Sequence, residues 1–202
     1  MNEKQPGDKW FAPLNEGNTM KKALLATLTA LTLFSSLSFA GDKLPVVGGE
    51  KMYPTKDIID NAVKSADHTT LVAAVKAAGL VDTLKGKGPF TVFAPTNAAF
   101  EKLPAGTVET LLKPENKDTL TKILTYHVVA GKLTAAKLKA EIKKGEGKYE
   151  MKTVSGGTLT IKAKDKSLVL EDEKGSTSTI TIADVMQKNG VIHVVDSVVQ
   201  PN

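Results

Sequence analysis

The chain is 202 residues long, carries a net charge of +5 and contains no cysteine; apart from three histidines, every basic residue is lysine. Without cysteine, stability outside a cell has to come from packing rather than disulfides, and a thiol nucleophile is excluded. Without arginine, whose planar fork makes the bidentate contacts to phosphate and guanine, nucleic acid is a poor match as a partner.

Met20-Lys21-Lys22 opens a run that stays apolar and uncharged as far as Phe39. Two lysines, such a run, and small residues at Ser38 and Ala40 on the near side of Gly41 form an export signal with a cleavage site. A spanning helix needs about 20 strongly apolar residues. Here Thr27, Thr29, Thr32, Ser35, Ser36 and Ser38 dilute the stretch, so it reads as a cleaved signal, not a transmembrane anchor. Residues 1–19 precede the positive segment with which signals ordinarily begin, and read as an extension upstream of a true start at Met20. The exported protein is therefore expected to begin at Gly41 and to be secreted or periplasmic. What remains, roughly 160 residues, is enough for one domain with its own core.

Residues 41–53, with Pro45 and two adjacent glycines, read as a flexible lead-in to a domain over 54–202. Thr55 is placed to cap a helix carrying Ile58, Ile59, Ala62 and Val63 at helical spacing. A second helix is predicted from Thr69 or Thr70 to Ala78, closed by Gly79. Phe90-Thr91-Val92-Phe93 is a short strand stopped by Pro95, after which Thr96 caps a brief helix with Phe100. Val108–Leu112 and Asp118–Thr125 read as helices, Tyr126–Val129 as extended chain, and Thr134–Lys144 as a lysine-rich helix. Alternation then takes over: Tyr149–Val154 and Thr158–Ala163 flank Gly156-Gly157, a two-residue hairpin signal. Ser167–Leu170, Ser178–Ile182 and Val191–Val199 complete the strands. Helices early and strands late predict an α+β domain.

Three segments stand in order: Thr91-Val92-Phe93-Ala94-Pro95-Thr96-Asn97-Ala98-Ala99-Phe100, then Leu124-Thr125-Tyr126-His127-Val128-Val129, then Asn189-Gly190-Val191-Ile192-His193-Val194-Val195-Asp196. In residue type, order and spacing they resemble the fasciclin-type domain, over about Thr55–Pro201, and the chain looks like a single-domain bacterial secreted member. The resemblance implies a compact wedge, a small β-sandwich flanked by a layer of helices, with the first and last segments as adjacent strands. It also implies a structural role for Tyr126 and His127 and, by relation to adhesion proteins of animal matrix, a binding function. An Asp-Ile pair has been implicated in receptor contact in those relatives; the matching positions here are Asp184 and Val185.

Other sites are weighed against blander readings. His68 lies in a polar turn and reads as solvated. His127 and His193 lie in apolar runs, where structural hydrogen bonding is the expectation, since no His-x-His or His-x-x-x-His pattern supports a metal. No Gly-x-Ser-x-Gly elbow occurs, and along a strand His193 and Asp196 point to opposite faces, so Ser197 has no triad. For Asp184 and Val185 the stronger reading is that Asp184 caps a short turn, with Val185 and Met186 packed inward. Lys132, Lys137, Lys139, Lys143, Lys144, Lys148 and Lys152, interrupted by acids, form a face that is either simply solvated or attracts anionic polysaccharide or lipid head groups.

The expectation is a non-enzymatic adhesion module with no cofactor, recognising a cell-surface or matrix protein or an anionic glycan. Candidate contacts are Asp184 and Val185, and Lys137, Lys139, Lys143, Lys144 and Lys148. The alternatives are an envelope or stress-associated structural protein without a ligand and, more remotely, a hydrolase. N-terminal sequencing of the exported protein should begin at Gly41, and of the unprocessed precursor at Met20. Residues before Met20 in the precursor would overturn the start-site reading.

Overall fold

The computed structural model describes residues 44–202; the segments read as an export signal (Met20–Ala40) and an upstream extension (residues 1–19) lie outside them. Residues 44–53, expected to be a flexible lead-in, instead hold a minimal hairpin of β1 (Val46–Val47) and β2 (Glu50–Lys51). Val47 and Met52 are both buried and anchor this segment to the core.

Helix α1 (Ile58–Ala62) is capped by Asp57 rather than Thr55: the Asp57 carboxylate accepts from the Asp60 amide at 2.8 Å. Aspartate is at least as good an N-cap as threonine, and Asp57 directly precedes the first apolar residue of the helical face. Helix α2 (Thr69–Ala78) buries Leu71, Ala74, Val75 and Ala78, the stripe a 3.6-residue period requires, and ends at Gly79 as expected. Then follow α3 (Val81–Lys85), β3 (Phe90–Pro95), α4 (Asn97–Glu101) with Thr96 as its cap, α5 (Thr107–Leu111) and α6 (Lys117–Tyr126). Strand β4 (Val128–Ala130) leads to α7 (Ala135–Lys144), capped by Thr134, which turns Leu138 and Ile142 inward. The chain closes with β5 (Lys148–Lys152), β6 (Thr158–Lys164), β7 (Ser167–Glu171), β8 (Thr177–Gln187) and β9 (Gly190–Val195).

Seven of these strands form one sheet in the order β4-β3-β9-β8-β7-β6-β5. Strands β3 and β9 are parallel, in register from Phe90↔Gly190 to Pro95↔Val195, and the other neighbours are antiparallel. The two layers expected of a sandwich are thus continuous through β8. Its first residues pair with β7 and the rest with β9, and register shifts at Ile180/Ile182 and Ile182/Val185 bend it between the two tasks.

The outer strands also meet. Thr153 bridges Val129, and the Val154 N–H donates to the Val128 carbonyl at 2.8 Å, so the sheet curls back on itself. The predicted two-residue hairpin becomes a longer connection after Lys152: Thr153 still bonds the Gly157 carbonyl at 2.9 Å, but it also bridges Val129, and Val154 bonds β4 instead of β6.

Alternation along β3 and β9 divides the core in two. Val92, Ala94, Ile192 and Val194 face helices α1, α2, α4 and α6, with Leu71, Val75, Phe100 and Leu124 opposite. Phe93 and Val195 face the inside of the curl, where Leu138, Leu159, Ile161 and Leu170 fill the space. Strands buried on both faces read as unbroken apolar runs, which accounts for the composition of both segments.

Leu138 is fully buried while Lys139 beside it is exposed. Leu138→Ala should cost about 2–5 kcal/mol in urea unfolding, and Lys139→Ala should stay within about 0.5 kcal/mol. Equal effects would overturn the placement of α7.

Candidate functional site

The side chains most suggestive of chemistry are the histidines; both ring nitrogens of His127 and His193 are hydrogen-bonded, whereas in His68 only Nδ1 is, and its buried Nε2 has no partner among the described residues. His127 follows α6. Its Nδ1 lies 2.9 Å from the Ile123 carbonyl, and its Nε2 accepts from the Val199 N–H at 3.2 Å. One ring nitrogen donates and the other accepts, which specifies a neutral imidazole tying α6 to the C-terminal tail. Burial pushes its pKa down to about 4, against small upward pulls from the Ile123 carbonyl and the Asp172 carboxylate.

His193, fully buried on β9, has the same character. Its Nε2 lies 2.7 Å from the Leu133 carbonyl, its Nδ1 accepts from the Asp184 N–H at 3.3 Å, and its ring stacks on Phe93. Burial lowers its pKa as well. With both nitrogens occupied in each ring, neither offers a lone pair to a metal in this arrangement. Among the described residues no group of three or more His, Asp or Glu is arranged to hold one. Ser197 Oγ bonds Asp196 at 3.2 Å and is approached by Lys102, and neither histidine nitrogen is bonded to it.

Tyr126 completes the pair with His127. Its hydroxyl donates to the Thr158 carbonyl at 2.6 Å and accepts from the Glu173 N–H at 3.3 Å, pinning the β5–β6 connection and the β7–β8 turn to α6. Burial raises its pKa to about 12. His68 departs from expectation: it is only 3% exposed, its Nδ1 is 2.9 Å from Ser65 Oγ, and burial lowers its pKa. The polar turn that holds it is covered by the β1–β2 hairpin, for Val47 and Met52 share a cavity of about 20 Å³ with it.

Asp184 and Val185 sit at the bulge of β8. Asp184 has the left-handed φ of 59°, and its carboxylate accepts from the Ala135 N–H, the first residue of α7, at 2.7 Å. Val185 is 1% exposed and packs against the helical layer. The bulge therefore turns Asp184 toward the helix and Val185 into the core, so a partner cannot touch Val185 in this conformation.

The lysines divide into two groups. Lys137, Lys139, Lys143, Lys144 and Lys148 are exposed on α7 and the start of β5 as expected. Lys144 is paired with Glu141 at 2.8 Å and Lys148 with Glu150 at 2.9 Å, so two of these five charges are answered by glutamates. A second group was not united by sequence reasoning. Lys85, Lys87, Lys132 and Lys188 surround a depression of about 510 Å³ at the end of the sheet where β3 and β9 begin. Lys85 pairs with Asp60 at 2.8 Å, whereas Lys87, Lys132 and Lys188 make no ion pair among the described residues. A signal did exist: parallel pairing of the two recognisable segments puts the loops before them, Gly86-Lys87-Gly88-Pro89 and Lys188-Asn189-Gly190, side by side.

The family model described as "Fasciclin domain" matches residues 66–201. Protein sll1483 of Synechocystis is 49% identical over 160 residues, covering 79% of this chain and 82% of the relative. The cell surface glycolipoprotein MPB83 of Mycobacterium bovis is 39% identical over 123 residues, 60% of this chain and 48% of its own length. Among solved structures, a FAS1 domain pair from the insect cell adhesion molecule Fasciclin I superimposes with a TM-score of 0.62 at 17% identity, covering 70% of this chain and 50% of that one. At that identity the likeness concerns the fold. No helix among the described residues is long and apolar enough to cross a membrane.

The histidines make a pH prediction. His127 has a folded pKa of about 4 against about 6.5 in the unfolded chain, so the unfolded state takes up the proton first as pH falls. Stability is full above about pH 6.5 and declines toward pH 4, by roughly 3 kcal/mol for His127 alone. His68 and His193 shift in the same direction and add to the fall. Urea unfolding at pH 7.5 and pH 5 should show the loss, and His127→Gln should reduce it. An undiminished fall in that variant would place the effect elsewhere.

Proposed function

Because the chain belongs to the fasciclin domain family, we propose that it is an exported binding module that attaches to a component of the cell surface or surrounding matrix. The observation that carries this reading is the family match across nearly all of the described domain. Relatives described as a cell adhesion molecule and as a cell-surface glycolipoprotein support it, and so does the export signal at Met20–Ala40. Secretion or retention in a periplasm both follow from such a signal.

In this reading the buried histidines, Tyr126 and Asp184 hold the scaffold, and partner contact falls to exposed residues. The lysines of α7 and β5 contribute a positive field that brings anionic partners to the surface. Exposed charges act over about 8–10 Å at physiological ionic strength, so attraction of this kind weakens as salt rises.

The exported protein, applied to immobilised matrix proteins and to neutral and acidic polysaccharides, should bind at least one class saturably, with affinity falling between 50 and 500 mM salt, a range set by charge screening at about 3–10 Å or more. Folded protein that binds none of them saturably would favour the structural role without a ligand.

A further inference from the structure

We propose that the depression ringed by Lys85, Lys87, Lys132 and Lys188 is a binding site for acidic polysaccharide, its lysines receiving the carboxylates of uronate units. The proposal rests on the adhesion reading and assigns it a ligand class and a location away from α7.

Charge is the first argument. The acidic side chain lining the depression is Asp57, and its carboxylate is engaged as the cap of α1. Lys85 is neutralised by Asp60, which also raises its pKa. Lys87, Lys132 and Lys188 are exposed and unpaired among the described residues. On α7 and β5, by contrast, glutamates already answer Lys144 and Lys148.

Rigidity is the second. Flexible lysines on a mobile loop lose entropy when they bind, but these three rise from tethered backbone. Thr91 Oγ1 holds both sides of Lys132, donating to the Gly131 carbonyl at 2.7 Å and accepting from the Leu133 N–H at 2.9 Å. The Lys188 N–H donates to the Lys56 carbonyl at 2.8 Å. Asn189 Nδ2 donates to the carbonyls of Leu84 and Gly86, next to Lys87, at 2.7 and 3.1 Å. The loops beneath are pressed backbone to backbone: a Cβ on Gly88 would stand 1.9 Å from the Asn189 carbonyl oxygen, and one on Gly190 2.1 Å from that of Phe90.

Shape decides between a glycan and an anionic membrane. A bilayer meets a flat or convex face, commonly with apolar side chains that enter it. This site is concave, and Pro89 is the nonpolar side chain in its lining. A depression of about 510 Å³ floored by glycine backbone suits a polar chain that lies in it and presents a carboxylate to each flank.

The test uses the exported protein with polygalacturonate, neutral dextran and phosphatidylcholine vesicles with and without phosphatidylserine. Lys87→Gln/Lys132→Gln/Lys188→Gln is compared with Lys137→Gln/Lys139→Gln/Lys143→Gln, which removes equal charge from α7. Both are exposed sets, and matching thermal denaturation verifies the fold. The expected result is saturable binding to polygalacturonate and not to dextran, weakened about tenfold or more by the first triple variant and less than about threefold by the second. Equal weakening by both would replace the site with a diffuse field and leave the adhesion reading intact. Stronger binding to phosphatidylserine vesicles, lost in the first variant, would make the site a membrane contact and overturn the glycan. Absence of polygalacturonate binding in the parent protein overturns the proposal. Saturable binding to a matrix protein in that case preserves the adhesion reading, and absence of that too removes both.

Discussion

The parallel pairing of β3 with β9 is the constraint on which the rest of the domain depends. These strands are far apart in sequence, yet they run in register for six residues, Phe90↔Gly190 to Pro95↔Val195. Both faces of the pair are covered: Val92, Ala94, Ile192 and Val194 meet the helices, and Phe93 and Val195 meet the inside of the curled sheet. A parallel ladder buried on both sides exposes no backbone group to water, so its hydrogen bonds have to be complete. Removing either strand would leave two cores facing nothing, which is why helices and curled sheet form a single domain.

The buried polar groups finish what the ladder begins. A neutral imidazole provides one donor and one acceptor, and His127 and His193 each use both on backbone groups distant in sequence. His127 secures the tail after β9, and His193 secures the loop before α7. An aliphatic residue in either place would strand a buried carbonyl and a buried N–H, each costing about 1–3 kcal/mol. Asp184 and Thr91 act on the same loop from other sides. Residue types that elsewhere mark catalysis are here occupied in keeping irregular backbone satisfied, and burial keeps the imidazoles uncharged.

Much of this was legible from local chemistry. Helix periodicity, the cap at Thr96 and the stop at Gly79 are decided within a few residues, and the structure bears each out. Misreadings arose where a distant partner decides. Thr55 lost to Asp57 because two good caps stood two residues apart and the packing of Ile58 chose between them. His68 looked solvated because nothing local shows that Val47 and Met52 fold over it. The turn at Gly156-Gly157 lengthened because Thr153 and Val154 also bond to β4, whereas the inward packing expected of Val185 is borne out. The lysine-rich stretch at 137–148 is exposed, with the interrupting glutamates paired to Lys144 and Lys148.

The same pairing that builds the core also composes the surface at its end. Parallel strands start on the same side, so the loops entering β3 and β9 must emerge together, and the turn leaving β4 joins them because β4 is antiparallel to β3. Three lysines spread over a hundred positions of sequence thereby reach one rim. Because the glycines beneath them pack backbone on backbone, the rim cannot be shifted without disturbing the ladder itself. On a scaffold whose buried polar side chains are satisfied except at His68 Nε2, chemistry directed outward has to be carried by side chains left unanswered at the surface. This end of the sheet is where the fold gathers such side chains and holds them still.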